Sequence, residues 1–387
     1  MLKKGLTLPE IREIFRTKAD KQLVEVLGKR LELSRLVEKL KREGRKTPDH
    51  IYNAQAEEER LNEAGAYAKE LGINPYFVQA VLYLIICESC KAQMAQRDEA
   101  LFGKAISAGA ENPDEASGRS EELKRNLMAL AGGWAENYDT RYDAKYFATR
   151  AHREYEEELL MREAALLDDR EMALDIGCAT GRVSFKLKKQ FKLVVGLDIS
   201  ASMITKANVN QTGDSRVRFE WADVEKGIPL VDETVSLVNM NLGTASDIQK
   251  LPFVLTEARR VLKRDGIMFL SFYNKNALLH QLEFVPWEVS LAAEFNVDRD
   301  WLEVHSATGE KLAIYAKAYE AGELEGLLPK GVILTSWLTH PTISSILPDV
   351  IFEEEVVKTA IAEIDRRLAE DGYGAGAYIV AVAKKTG

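Results

Sequence analysis

Residues 172–181 read MALDIGCATG: an apolar run, an acid at Asp175, and glycines at Gly177 and Gly181 ahead of a helix-forming RVSFKL. Glycines at a strand-to-helix turn let a ligand approach the backbone closely, with helix N–H groups pointing at it. The next two apolar runs, KLVVGLD and VRFEWAD, each close on an acid, Asp198 and Asp223. Asp198 lies 23 residues after Asp175, where a carboxylate accepts from both hydroxyls of a ribose. Asp223 stands where an acid accepts from an exocyclic adenine amine. A nicotinamide dinucleotide calls for G-x-G-x-x-G, which this loop lacks. An acid two residues before the first glycine also suits a ligand bearing an ammonium group better than a pyrophosphate. Further downstream VSLVNMN and IMFLSFY alternate with amphipathic helices, the grammar of βαβ units and a parallel sheet.

With these motifs the chain resembles the class I S-adenosylmethionine-dependent methyltransferases from about Trp134 to its end, through WAENYD, DIGCATG, LDISASMITKA, WAD and EARRVLKRDGIMFLSFYN. The resemblance implies a doubly wound, mostly parallel seven-stranded sheet and S-adenosyl-L-methionine as cofactor. It assigns cofactor binding to Asp175, Gly177, Gly181, Asp198, Met203 and Asp223. Gly177 and Gly181 would line the methionine moiety, Asp198 the ribose and Asp223 the adenine, with Met203 and Trp221 flanking the ring. Ala179 stands where a middle glycine often sits. Methyl transfer from a sulfonium is an in-line displacement, so catalysis rests mainly on alignment. The fourth strand ends in NMNLG rather than the Asn-Pro-Pro-aromatic signature of amide- and nucleobase-N methyltransferases.

An oxygen or carbon acceptor needs a base. His280, His305 and His340 follow the fifth strand, where such enzymes build a substrate cover. His280 and His305 are the substrate-binding candidates, set against the plainer role of core or surface histidines. Phe284, Trp287, Trp301, Tyr315 and Trp337 either line an aromatic site or fill the core. WLEVHSATGEKLAIYAKAY reads as a hairpin turning at Ser306–Gly309.

No strand signal precedes residue 170. Residues 7–43 read as one long helix, residues 53–71 as a second, and Asn74-Pro75 opens a third to about Ala95. A first helix of about 50 Å exceeds a small domain, so part of it should pack on another chain. These helices resemble the all-helical chorismate mutases over about residues 7–97. Chorismate is a dianion that rearranges without covalent help, so such a site supplies cations and hydrogen-bond donors. The resemblance implies catalytic Arg30, Lys41, Glu57 and Gln93, with Arg12 and Ser89 binding substrate. It also implies an intertwined homodimer, to which Arg12 would contribute across the interface. Asn53 and Ala56 stand where the family carries Asp and Arg, which removes one cation from the site. Cys87 and Cys90 form a CxxC inside a helix without a second pair and read as helical thiols rather than a redox or metal site.

A chain of 387 residues is too long for one ordinary core. The expected division is a helical domain at 1–105, a linker at 106–130 centred on the Gly-, Ser-, Pro- and acid-rich stretch 107–123, and a methyltransferase domain at 131–387. Net charge is −9 overall, but residues 1–46 sum to +7 and the rest to −16. That balance argues against a general nucleic-acid binder and for a local anion site near the start. Absence of an apolar leader, a longest apolar run of about ten residues and only three cysteines point to a cytoplasmic protein without membrane or metal partners. The expected function is bifunctional: chorismate to prephenate, plus methyl transfer to a chorismate-derived small molecule in aromatic amino acid biosynthesis. The alternative is a methyltransferase of an unrelated small molecule whose helical domain only dimerises or senses an aromatic metabolite.

Overall fold

The computed structural model describes residues 13, 15–43, 54–101, 113–140, 147–211, 213, 215–282, 293–296, 300–305, 311–347 and 349–386. Two compact units result, residues 1–109 and 110–387.

The first unit is helical. A π-turn at Phe15–Ala19 leads into α1 (Asp20–Glu43), followed by α2 (Ala54–Glu70) and α3 (Pro75–Leu101). Asn74 starts α3 by accepting from the Tyr76 and Phe77 amides, with Pro75 in the first turn, where its missing N–H costs nothing. Both α1 and α2 rest on α3. Leu61, Ala68, Tyr83 and Ile86 are buried in this unit, whereas Leu23, Val24, Val26, Leu33, Leu36 and Val37 of α1 are exposed within the single chain.

The second unit opens with α4 (Pro113–Trp134) and α5 (Phe147–Ala165). Five strands and three helices follow: β1 (Met172–Ile176), α6 (Arg182–Leu187), β2 (Leu193–Asp198), α7 (Ala201–Asn210), β3 (Val217–Trp221), β4 (Val235–Met240), α8 (Leu251–Val261) and β5 (Leu262–Asn274). After α9 (Leu278–Gln281) come β6 (Ala293–Asn296), β7 (Trp301–His305), β8 (Lys311–Tyr315), β9 (Ala318–Tyr319) and α10 (Leu324–Leu327). The chain closes with β10 (Val332–His340), α11 (Glu355–Glu370) and β11 (Tyr378–Lys385).

The main sheet has the order β10-β11-β5-β4-β1-β2-β3, parallel from β5 through β3, with β11 antiparallel to both neighbours. The seven expected strands are joined by an eighth, the two-residue β9, which pairs with the end of β5. β4 is buried along its whole length, as a central parallel strand covered on both faces must be. The predicted hairpin is present as β7 and β8, pairing Trp301 with Tyr315 and His305 with Lys311, with β6 completing a second, three-stranded sheet. Its turn at 306–310 lies outside the described residues.

The expected linker at 106–130 needs correction from residue 113 onward. Residues Pro113–Trp134 are helical and belong to the second unit. Leu123, Leu127, Leu130 and Trp134 recur at steps of four, three and four and so share one face. Leu130 and Trp134 bury that face against Val304 and Ile314 of the small sheet. Burial of this stripe outweighs the poor helix propensity of the Gly and Ser that precede it.

Candidate active sites

The carboxyl ends of β1, β2, β3 and β4 meet along one edge of the sheet. Gly177 and Gly181 have φ of 72° and 87°, and Ala179 between them has φ of 45°, so the loop holds three left-handed residues. A Cβ at Gly177 would lie 2.8 Å from the Thr244 methyl, and one at Gly181 2.4 Å from the Phe219 ring. Both positions therefore exclude any side chain, on conformation and on space. Ala179 is held in its strained turn by Asp198, whose Oδ2 accepts the Ala179 amide at 2.9 Å while Oδ1 accepts that of Ser200 at 2.8 Å. Burial pushes the Asp198 carboxyl above its ordinary range, and the two amides oppose that rise.

Asp175 is fully buried beneath the loop. Ser184 Oγ donates to one oxygen and Asn239 Nδ2 to the other at 2.7 Å, which ties β1, α6 and β4 together. Its carboxyl is raised to about 6 by burial. Asp175 is thus an anchor of the loop. Above it Asp139, in the WAENYD segment, accepts the Thr180 hydroxyl at 2.8 Å with Oδ2, while its buried Oδ1 has no hydrogen-bond partner among the described residues.

Met203 is buried on the inner face of α7, whose first turn Ser200 caps. Trp221 pairs in register with Asp198 and is 57% exposed, its indole N–H donating to Ile199 O at 2.7 Å. Asp223 caps the short turn after β3, with Lys124 of α4 donating to both its oxygens at 3.0 and 2.9 Å. Burial pushes the Asp223 carboxyl up, but Lys124 and Lys226 carry it net below the ordinary range.

The turn after β4 faces the glycine loop. Leu242 and Gly243 have φ of 50° and 79°. Both oxygens of the buried Glu156 accept the Leu242 amide, and Ser271 Oγ accepts that of Gly243 at 3.0 Å. Burial raises Glu156 to about 7. Asp247 closes this turn, raised by burial to about 8 against the opposing hydrogen bond of Tyr273, and its buried Oδ1 has no hydrogen-bond partner among the described residues. Asp139, Glu156 and Asp247 were missed in the sequence. Each reads there as one acid among many, although the D of WAENYD was a usable signal.

The histidines divide. His340 is buried with His152, their Nδ1 atoms 3.3 Å apart, and His152 stacks on Tyr378 at 4.1 Å. Burial lowers His340 to about 3 and His280, on α9, to about 4, so both are neutral at pH 7. The His305 side chain, Phe284 and Trp287 lie outside the described residues. Trp301 is a packing residue, 8% exposed beneath the Arg119 guanidinium at 4.2 Å, while Trp337 on β10 is 42% exposed.

In the helical unit Arg30 and Ser34 share one face of α1, and Ser34 Oγ donates to Arg30 O at 3.0 Å. On α3 Gln79, Tyr83, Ile86, Ser89 and Gln93 form one buried face. Ser89 Oγ donates to Ile85 O at 2.7 Å. Arg30 Nε, Gln79 Oε1 and Gln93 Oε1 are buried without a hydrogen-bond partner among the described residues. Such orphans are uncommon in a native interior, and these three lie in the helical unit. Arg12, and the side chains of Lys41, Glu57, Cys87 and Cys90, lie outside the described residues.

Two families match these two units. Residues 16–94 match chorismate mutase type II and residues 167–312 match a methyltransferase domain. The chain is therefore an enzyme carrying a chorismate mutase type II domain followed by a methyltransferase domain. Among curated proteins it is 28% identical over 205 residues to the uncharacterized protein MJ1252 of Methanocaldococcus jannaschii, covering 51% of this chain and 71% of that one. It is 26% identical to malonyl-[acyl-carrier protein] O-methyltransferase of Xylella fastidiosa, over 37% of this chain and 52% of that one. It thus spans about half the length of that relative. Among solved structures, the PH0226 protein from Pyrococcus horikoshii aligns with a TM-score of 0.42 and 18% identity, over 60% of this chain and 91% of that one. No helix of the described residues is long and apolar enough to cross a membrane.

Proposed function

We propose that the chain is bifunctional: the helical domain converts chorismate to prephenate, and the second domain transfers a methyl group from S-adenosylmethionine to an oxygen of a chorismate-derived small molecule. The observation that carries the second half is the row of acids at the strand ends. Asp198 and Asp223 are spaced for ribose and adenine, and the unpartnered Asp139 oxygen beside Thr180 suits the ammonium of an amino acid. This donor set fits the cofactor, which supplies an electrophilic methyl on sulfur when bound. The protein's own residues hold the glycine loop and the post-β4 turn against each other, through Asp175, Asn239 and Thr244, so that an acceptor is aligned by rigid backbone. Asp247 closes the turn after β4 with an unpartnered buried Oδ1, and its ionised form, the minority at pH 7 for a carboxyl raised to about 8, takes the proton from the acceptor hydroxyl. His280, at about 4, is a weaker base. The relatives named as O-methyltransferases support an oxygen acceptor.

For the helical half, support comes from half-buried Arg30, in a basic first segment suited to a dianion, and from buried Gln93, with Arg30 Nε and Gln93 Oε1 unpartnered among the described residues. Loss of a cation at Ala56 leaves fewer charge-assisted bonds, each of about 1.5–3 kcal/mol. The exposed apolar residues of α1 favour a second copy of the chain as their cover, which makes the assembly a homodimer. The test is incubation of the full chain with chorismate and methyl-labelled S-adenosylmethionine. Label is expected in an organic product that forms only when chorismate is present; label transfer indifferent to chorismate would make the acceptor unrelated.

A further inference from the structure

Asp223 already has a cation. Lys124 Nζ lies 3.0 and 2.9 Å from its two oxygens and 2.9 Å from Glu225 Oε2, and the Asp223 side chain is only 7% exposed. The Glu225 amide at 3.2 Å and Lys226 Nζ at 3.4 Å complete its surroundings. Lys124 is not a wandering surface side chain, because α4 is fastened on both sides of it. Ser120 and Gln249 bond each other, with Gln249 Nε2 donating to Ser120 O at 3.0 Å. Asn126 Nδ2 donates to Ala313 O at 2.8 Å, and Leu130 and Trp134 pack on the small sheet. The helix is a strap whose lysine rests on the acid that adenine recognition requires.

Asp223 Oδ1 accepts from Lys124 and the Glu225 amide, and Oδ2 faces Lys124 and Lys226, so the roughly four lone-pair sites of the carboxylate are taken. An adenine amine therefore gains Asp223 only if the Lys124 ammonium yields it. Glu225 lowers the cost: Lys124 sits between two carboxylates and stays paired with Glu225 when it gives up Asp223, which keeps Lys226 at 3.4 Å.

We infer that Lys124 competes with the adenine amine for Asp223, so that the strap helix α4 sets cofactor affinity and cofactor entry moves Lys124 onto Glu225 alone. This rests on the proposed cofactor.

The test is calorimetric titration of the full chain with S-adenosylhomocysteine, comparing wild type, Lys124→Met, Asp223→Asn and the double variant. Lys124→Met is expected to bind about five- to tenfold more tightly, a tenfold gain corresponding to about 1.4 kcal/mol. Asp223→Asn is expected to bind more weakly, and in that background Lys124→Met should give no gain, since the pair it relieves is already gone. Lys124→Gln, which keeps the length and loses the charge, should tighten binding in the same way and serves if Lys124→Met does not fold. Wild-type binding with equal or weaker binding by both neutral variants overturns the inference alone. No binding by any of the proteins overturns the cofactor reading and this inference with it.

Discussion

Both carboxylate oxygens of Glu156 accept the amide of Leu242, at 3.1 and 2.9 Å, from a position with no solvent exposure. A helix before the sheet thereby fixes the left-handed turn that follows its central strand. Glu156→Gln replaces one acceptor oxygen with a donor facing an N–H, and removing a partner from a buried network costs about 1–3 kcal/mol. The variant is expected to unfold at lower denaturant with an unchanged m value, measured by urea titration.

The pH dependence of stability follows from three raised acids. Asp175, Glu156 and Asp247 stand at about 6, 7 and 8 against ordinary values of 3.8 to 4.5. A carboxyl whose folded value is raised binds its proton more tightly folded than unfolded, so its contribution is fully present below the unfolded value and is lost as pH rises through the folded one. The buried histidines work in the opposite sense, but His280 and His340 fall to about 4 and 3, so their contribution is lost only as pH drops below about 6.5. Thermal unfolding is therefore expected to shift downward between pH 6.5 and 8. Asp247→Asn is expected to flatten that slope, by about 1–2 kcal/mol over the window.

Ala179 has φ of 45° in a loop whose neighbours Gly177 and Gly181 are also left-handed. A left-handed L-residue costs about 1–2 kcal/mol, so Ala179→Gly is expected to raise the melting temperature while leaving S-adenosylhomocysteine affinity within about twofold. Calorimetry reads both.

Leu33 of α1 is 62% exposed and Val26 60% within the single chain. If a second copy covers this face, Leu33→Asp buries a charge in the interface. Sedimentation is expected to show dimers for the wild type and monomers for the variant; monomers for both would remove the homodimer.

Much of the methyltransferase half was legible because its signals are local. Each signal, a continuous apolar run closing on a glycine turn or on an acid, spans about ten residues. That brought out Gly177, Gly181, Asp198 and Asp223 together. Helix α4 was not legible over 113–123, because Gly, Ser, Pro and acids there read as a linker, and what makes them helical is the face that Leu130 and Trp134 bury on strands about 170 residues later. Asp247 and Glu156 escaped for a related reason. Their significance lies in burial against Tyr273 and Leu242, which no spacing encodes. His340 was singled out as a possible base, and its place beside His152 in the interior gives it a packing role instead.

The central claim, two working sites in one chain, is tested most directly by the loss of chorismate absorbance on adding the purified full-length protein, with Arg30→Ala as control. Arg30 carries an unpartnered buried Nε on the helix proposed to bind the dianion. The account predicts turnover by the wild type and its loss in Arg30→Ala with the oligomeric state unchanged. No turnover by an intact wild-type protein would contradict it and leave the helical domain as a scaffold or sensor.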